Sequence, residues 1–141
     1  MKQTNSMNFR KLLRFIPAIV WMIVIYLLSS QTGDDIGTLL PLFQKLFPSM
    51  VSFDWGHYLS YFILAVTIDY GIGRKADRFL FKAVIVALCG IYGVTDEYHQ
   101  SFVGGRMPDP IDVRNDMIGA LVWVLLVSIP PLRRVWRKFS S

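Results

Sequence analysis

The chain has 141 residues, 53% of them hydrophobic, with a mean hydropathy of +0.42 and a formal net charge of +5. That length suits one domain, and a soluble domain of this size has too small a core to hide so much apolar surface. A bilayer removes the difficulty by solvating the outside of a helical bundle, so the expectation is a single all-α, polytopic membrane domain over residues 1–141.

Four apolar stretches follow one another, and they predict helices over about 12–30, 57–73, 79–97 and 112–130. Each has roughly 17–20 residues, enough to cross about 30 Å of hydrocarbon. The first has a basic start (Arg10, Lys11, Arg14) like that of a signal peptide. Leu28-Ser29-Ser30-Gln31 makes a poor small-residue cleavage site, however, and an uncleaved helix is expected. Between the first two stretches, Leu39, Leu42, Phe43, Leu46, Phe47 and Met50 recur at helical spacing, with Gln44 and Lys45 on the other side. This predicts a short amphipathic helix lying on the outer membrane surface. Asp69 and Lys82 interrupt the second and third stretches near their ends, and Asp69 is expected to pair with a basic residue at the inner face. Cys89 is the single cysteine, lies in an apolar run and suits packing.

Basic residues set the orientation. Lys2, Arg10, Lys11 and Arg14 precede the first stretch, Arg74, Lys75, Arg78 and Lys82 lie between the second and third, and Arg133, Arg134, Arg137 and Lys138 follow the fourth. The other two loops hold only Lys45, Arg106 and Arg114. The positive-inside rule then predicts a multi-pass plasma-membrane protein with both termini in the cytoplasm. Pro130-Pro131 is expected to end the last helix, with the basic tail against anionic lipid. No basic stripe lies on a soluble face, so nucleic acid is not expected as a partner. Membrane lipids are, and the oligomeric state is open.

On this topology the polar residues converge on the outer level. Ser29, Ser30 and Gln31 end the first helix, and His57, Ser60 and Tyr61 begin the second. Asp96, Glu97, His99 and Gln100 close the third, and Asp112, Asn115 and Asp116 open the fourth. Glu97 and Gln100 share a helix face at i,i+3, as do Asp112 and Asn115, while His57 and Tyr61 are i,i+4. In the loop between helices three and four, Gly104-Gly105 permits a tight turn with exposed N–H groups, followed directly by Arg106. A guanidinium beside such groups suits phosphate or carboxylate. Simpler roles stand beside these: Arg106 pairing with Glu97 or Asp112, Asp112 capping helix four, Asn115 bonding between helices, and His57 as an ordinary interfacial histidine. Asp96, Glu97 and His99 with Asp112 are of metal-ligating types, but no recognised metal-ligand spacing is present, and neither a metal nor another cofactor is expected.

Asp96-Glu97-Tyr98-His99-Gln100-Ser101-Phe102-Val103-Gly104-Gly105-Arg106, followed by Asp112, Asn115 and Gly119, resembles the VanZ-like family of small membrane proteins. The family pattern runs E-x-x-Q, a Phe, P-G-R and D-x-x-N-x-x-x-G. Glu97, Gln100, Phe102, Arg106, Asp112, Asn115 and Gly119 fit it. Leu28-Ser29-Ser30-Gln31 and His57-x-x-x-Tyr61 fit weaker features, and Gly104 stands where proline is common. The resemblance implies a bacterial cell-envelope protein from a family named for resistance to the glycopeptide antibiotic teicoplanin. Two functions are weighed. In the first, Gln100, Arg106, Asn115, His57, Tyr61 and His99 bind an anionic envelope lipid or cell-wall precursor. In the second, a membrane-embedded enzyme uses Glu97 as acid or base, with Asp112 or His99 as partner, on a lipid-linked or peptidoglycan-related substrate.

Overall fold

The structure is a computed structural model that describes residues 9, 11–35, 41, 44–45 and 55–140. Among the described residues the regular structure is entirely helical. Four longer helices are α1 (Ile16–Ser29), α2 (Trp55–Ile72), α3 (Phe79–Gln100) and α4 (Pro110–Leu126), followed by α5 (Pro130–Phe139). The amphipathic segment expected around Leu39 to Met50 lies almost wholly outside the described residues.

Local sequence explains the boundaries. Pro17 sits in the first turn of α1, where a missing N–H costs nothing, and a turn at Arg14–Phe15 precedes it. Arg78, in extended backbone at φ −75° and ψ 138°, separates the 3-10 turn Gly73–Asp77 from α3. Asp109 caps α4: its carboxylate accepts the Ile111 N–H at 2.8 Å, with Pro110 in the first turn. The cap is therefore Asp109 and not Asp112, which lies in the first turn, where an acid still favours the helix dipole. Pro130-Pro131 does more than end a helix. α4 stops at Leu126, and the prolines open α5, bent 96° from it. Across α5, Leu132, Val135 and Phe139 are exposed while Arg137 is buried.

α2 packs against all three other long helices, most extensively against α4, and α3 also packs on α4. The core collects Ile25, Tyr61, Leu64, Ala65, Ile85 and Cys89. Outside it, Ile19, Ile23, Leu27, Leu80, Ile91 and Leu125 face outwards, an apolar exterior that suits lipid. By length and apolarity two helices qualify as membrane spans: Phe79–Gln100, and α1 with its preceding turn, Lys11–Ser29. The bent pair of α4 and α5 makes a third if it is one span. α2 does not qualify by that measure, because His57, Ser60 and Asp69 lower its mean hydropathy; Asp69 is fully buried.

At one end of the bundle the basic residues knit the chain together. Arg137 donates to Asp69 through Nη1 and, at 3.2 Å, through Nη2; its Nε lies 3.0 Å from Asp77. Trp136 Nε1 donates to the same Asp69 carboxylate at 2.7 Å. Arg14 donates to the Tyr70 carbonyl at 2.9 Å and to the Ser140 carbonyl. The start of α1, the end of α2 and the end of α5 therefore meet at one level.

Candidate functional site

The other end of the bundle gathers the start of α2, the end of α3 and the start of α4. Asp112, Asn115 and Asp116 stand at i, i+3 and i+4 and so share one face of α4, the face turned to α2. His57 Nδ1 lies 2.9 Å from Asp116 Oδ1, and its Nε2 lies 3.6 Å from Asp112 Oδ2. Next to it, Tyr58 OH donates to Asn115 Oδ1 at 2.7 Å, and Asn115 Nδ2 reaches Asp112 Oδ1 at 3.4 Å. Asn115 thus bonds between helices as well as facing the site. Room for Asp116 comes from Gly93 on α3, where a Cβ would meet its carboxylate.

α3 brings the second half. Gln100 Nε2 donates to Asp96 Oδ2 at 3.3 Å, and Gln100 Oε1 accepts from Arg106 Nε at 3.1 Å and Nη2 at 2.6 Å. Arg106 is held by an amide, not by Glu97 or Asp112. Glu97 Oε2 accepts the Asp109 N–H at 2.7 Å, which ties the end of α3 to the cap of α4. Ligand atoms of His57, Asp96 and Glu97 all lie within 4.8 Å of one another. Asp96, Glu97 and Asp116 are all buried.

The glycine turn has a packing role. Gly105 adopts φ +72°, a conformation glycine takes without strain, and the Gly104 carbonyl accepts the Gly33 N–H at 3.2 Å. A Cβ on Gly33 would strike the Gly105 backbone, so the loop after α1 rests directly on this turn.

Between α1, α2 and α3 lies a cavity of about 340 Å³. Its walls are apolar, with Trp21, Ile25 and Leu59 among them, and His57, Asp96, Gln100 and Arg106 give it a polar end. Tyr61 also lines it, 1% exposed, with a hydroxyl that has no partner among the described residues.

The structure thus brings Glu97, Gln100, Arg106, Asp112, Asn115, His57 and Tyr61 to one end. The His99 ring packs 4.4 Å from that of Tyr26 on α1, and His99 lies within electrostatic reach of Asp96. Asp96 and Asp116 are expected at this end without a binding or catalytic role, and the structure sets them beside Gln100 and His57. Their signal was the spacing, since Asp96 precedes Gln100 by four and Asp116 follows Asp112 by four.

The family model for VanZ/LLP1 matches residues 9–131, which takes in every helix that builds this end. The chain belongs to the VanZ/LLP1 family. Membership agrees with the apolar exterior, and the chain is a membrane protein. No curated protein and no solved structure matches it. The VanZ/LLP1 match leaves the ligand of the site to be argued from its chemistry.

Proposed function

We propose that this VanZ/LLP1 chain binds an amphiphile of the cell envelope, with the acyl or prenyl part in the cavity between α1, α2 and α3 and an anionic group at Arg106. The observation that carries this is the cavity itself: apolar along its walls and polar at one end, as the tail and headgroup of an amphiphile require. A sugar or peptide precursor linked to a lipid phosphate has the same chemistry. A role in teicoplanin response belongs to this reading, through sequestration or display of such a precursor.

The reading takes α1 to α4 as four spans of one domain, with the acidic end outside and both termini cytoplasmic. Two features support it. The basic residues collect at the Arg14–Arg137 end, as the positive-inside rule requires, and α2 can cross lipid because its polar groups face other helices. The test is Arg106→Ala, with co-purifying lipid measured by mass spectrometry. The variant is expected to retain at least tenfold less of an anionic lipid than the native protein. Equal retention would sink the reading.

A second reading, an enzyme acting on that amphiphile, is favoured by one observation. Glu97 is buried with one oxygen on the Asp109 N–H and its Oε1 without a hydrogen-bond partner among the described residues, as a proton-transferring group would be. Under it, Glu97→Gln abolishes any antibiotic or envelope phenotype that the native chain complements. Full complementation by Glu97→Gln excludes proton transfer by that residue.

A further inference from the structure

Three carboxylates, Asp96, Glu97 and Asp116, are each at most 6% exposed at the end of the bundle, and a fourth, Asp112, adjoins them. His57 is the base in contact with these carboxylates, and His99 lies within electrostatic reach of Asp96. Arg106 donates to Gln100, and Asn115 is neutral. Buried charge on this scale is strongly unfavourable unless a cation or protons offset it.

Polar atoms around the group lack partners. Glu97 Oε1, Asp116 Oδ2 and the Tyr61 hydroxyl are buried and make no hydrogen bond among the described residues. The histidine adds a second sign. If its Nδ1–H donates to Asp116, its Nε2 carries a lone pair, and that lone pair faces an Asp112 oxygen at 3.6 Å. Two acceptors face each other there, at about the separation of two ligands on one ion. Ligands about 2.1 Å from a tetrahedral centre sit about 3.4 Å apart.

We propose that His57, Asp96 and Glu97 bind one divalent cation that accepts nitrogen as well as oxygen ligands, of the Zn²⁺ or Mn²⁺ kind, with Asp112 completing the set. A donor set of one imidazole and several carboxylates suits such ions better than Mg²⁺ or Ca²⁺, which prefer oxygen alone. Ligand atoms of His57, Asp96 and Glu97 lie within 4.8 Å of one another, and side-chain rotation inward by about 1 Å reaches bonding distance, while Asp112 adjoins the set through its 3.6 Å approach to His57 Nε2. Asp116 is the positioning residue. Its hydrogen bond to Nδ1 fixes the tautomer and turns Nε2 to the ion, the arrangement by which carboxylates support metal-bound histidines.

The ligands come from three helices, so the ion also clamps α2, α3 and α4 together. His57 and Asp96 line the cavity, which places the ion at its polar end and offsets the carboxylates that would otherwise repel an anionic headgroup. The site does not depend on the amphiphile reading, since the ion alone satisfies the carboxylates.

The test uses the full chain, purified in detergent, stripped with a chelator and titrated with Zn²⁺ and Mn²⁺ by calorimetry. One equivalent per chain is expected, with a rise in melting temperature that the chelator reverses. Glu97→Gln and Asp96→Asn are each expected to weaken binding at least a hundredfold, and Asp116→Asn ten- to a hundredfold. Co²⁺ gives a readout in the native chain that needs no variant to fold: a visible absorption band of low-symmetry coordination that Zn²⁺ displaces. Three results overturn the proposal: no stoichiometric binding of either ion, binding unchanged in Glu97→Gln and Asp96→Asn, or a melting temperature set by pH and indifferent to both metals. The last would assign the offsetting charge to protons. Lipid retention is read on the same stripped sample, so loss of the metal site and loss of the amphiphile site are told apart.

Discussion

Arg137→Ala is expected to lower stability by about 3–5 kcal/mol, the cost of leaving one member of a buried ion pair without its partner. Asp69 lies in the last turn or so of α2 and is fully buried. Arg137 reaches it from α5 through two nitrogens and touches Asp77 and the Ser140 hydroxyl as well. Removing the guanidinium leaves Asp69 with the Trp136 indole as its donor. One neutral hydrogen bond contributes about 1 kcal/mol and does not offset a buried carboxylate. Unfolding from detergent micelles by titration with SDS measures the loss. The double variant Asp69→Asn with Arg137→Met is expected to recover most of it, since both charges leave together. A loss below about 1 kcal/mol for the single variant would mean that Asp69 is solvated and that α5 does not cover the bundle.

The pairing of Asp69 was legible in the sequence, because an acid near the end of an apolar stretch with basic segments nearby has few other fates. Which base it meets was not legible. Pro130-Pro131 read as a stop, and only the 96° bend and renewed helix bring Arg137 back over α2. Long apolar stretches gave the helices themselves, since that signal comes from many residues at once. The convergence of polar groups at one end followed from the order of the apolar stretches, whose alternate ends return to one level, and the spacing of Glu97 with Gln100 and of Asp112 with Asn115 placed them on shared helix faces. The pairing inside the cluster was out of reach for a physical reason. Arg106 chose the Gln100 amide over any carboxylate, and Asp116 rather than Asp112 took the close contact with His57. Both outcomes depend on helix rotations of a few tens of degrees, which periodicity does not fix. A glycine at position 119 suits close helix approach, and the packing of α2 on α4 identifies the approaching backbone as that of Tyr58.

Gly119→Ala is expected to cost about 2–3 kcal/mol and to disturb the site one turn away. A Cβ at that position would run into the Tyr58 carbonyl oxygen, with the Tyr58 carbonyl carbon and Cα close behind. These are backbone atoms of α2, so no side-chain rotation relieves the clash, and the helices must part or slide; overpacking of this kind costs about 1–3 kcal/mol. The movement does not stay local. Tyr58 bonds to Asn115, and the residue before it, His57, bonds to Asp116, so the bonds that join α2 to α4 at the site lie within a turn of the clash. A thermal melt in detergent reads the stability loss. Binding of Zn²⁺ or of co-purified lipid reads the displacement, and both are expected to weaken although Gly119 is itself no ligand. Gly56→Ala is the control. Nothing lies within 4 Å of a Cβ there, and a change within about 0.5 kcal/mol is expected. If Gly119→Ala melts like the control, α2 and α4 do not approach as closely as the bond between His57 and Asp116 requires.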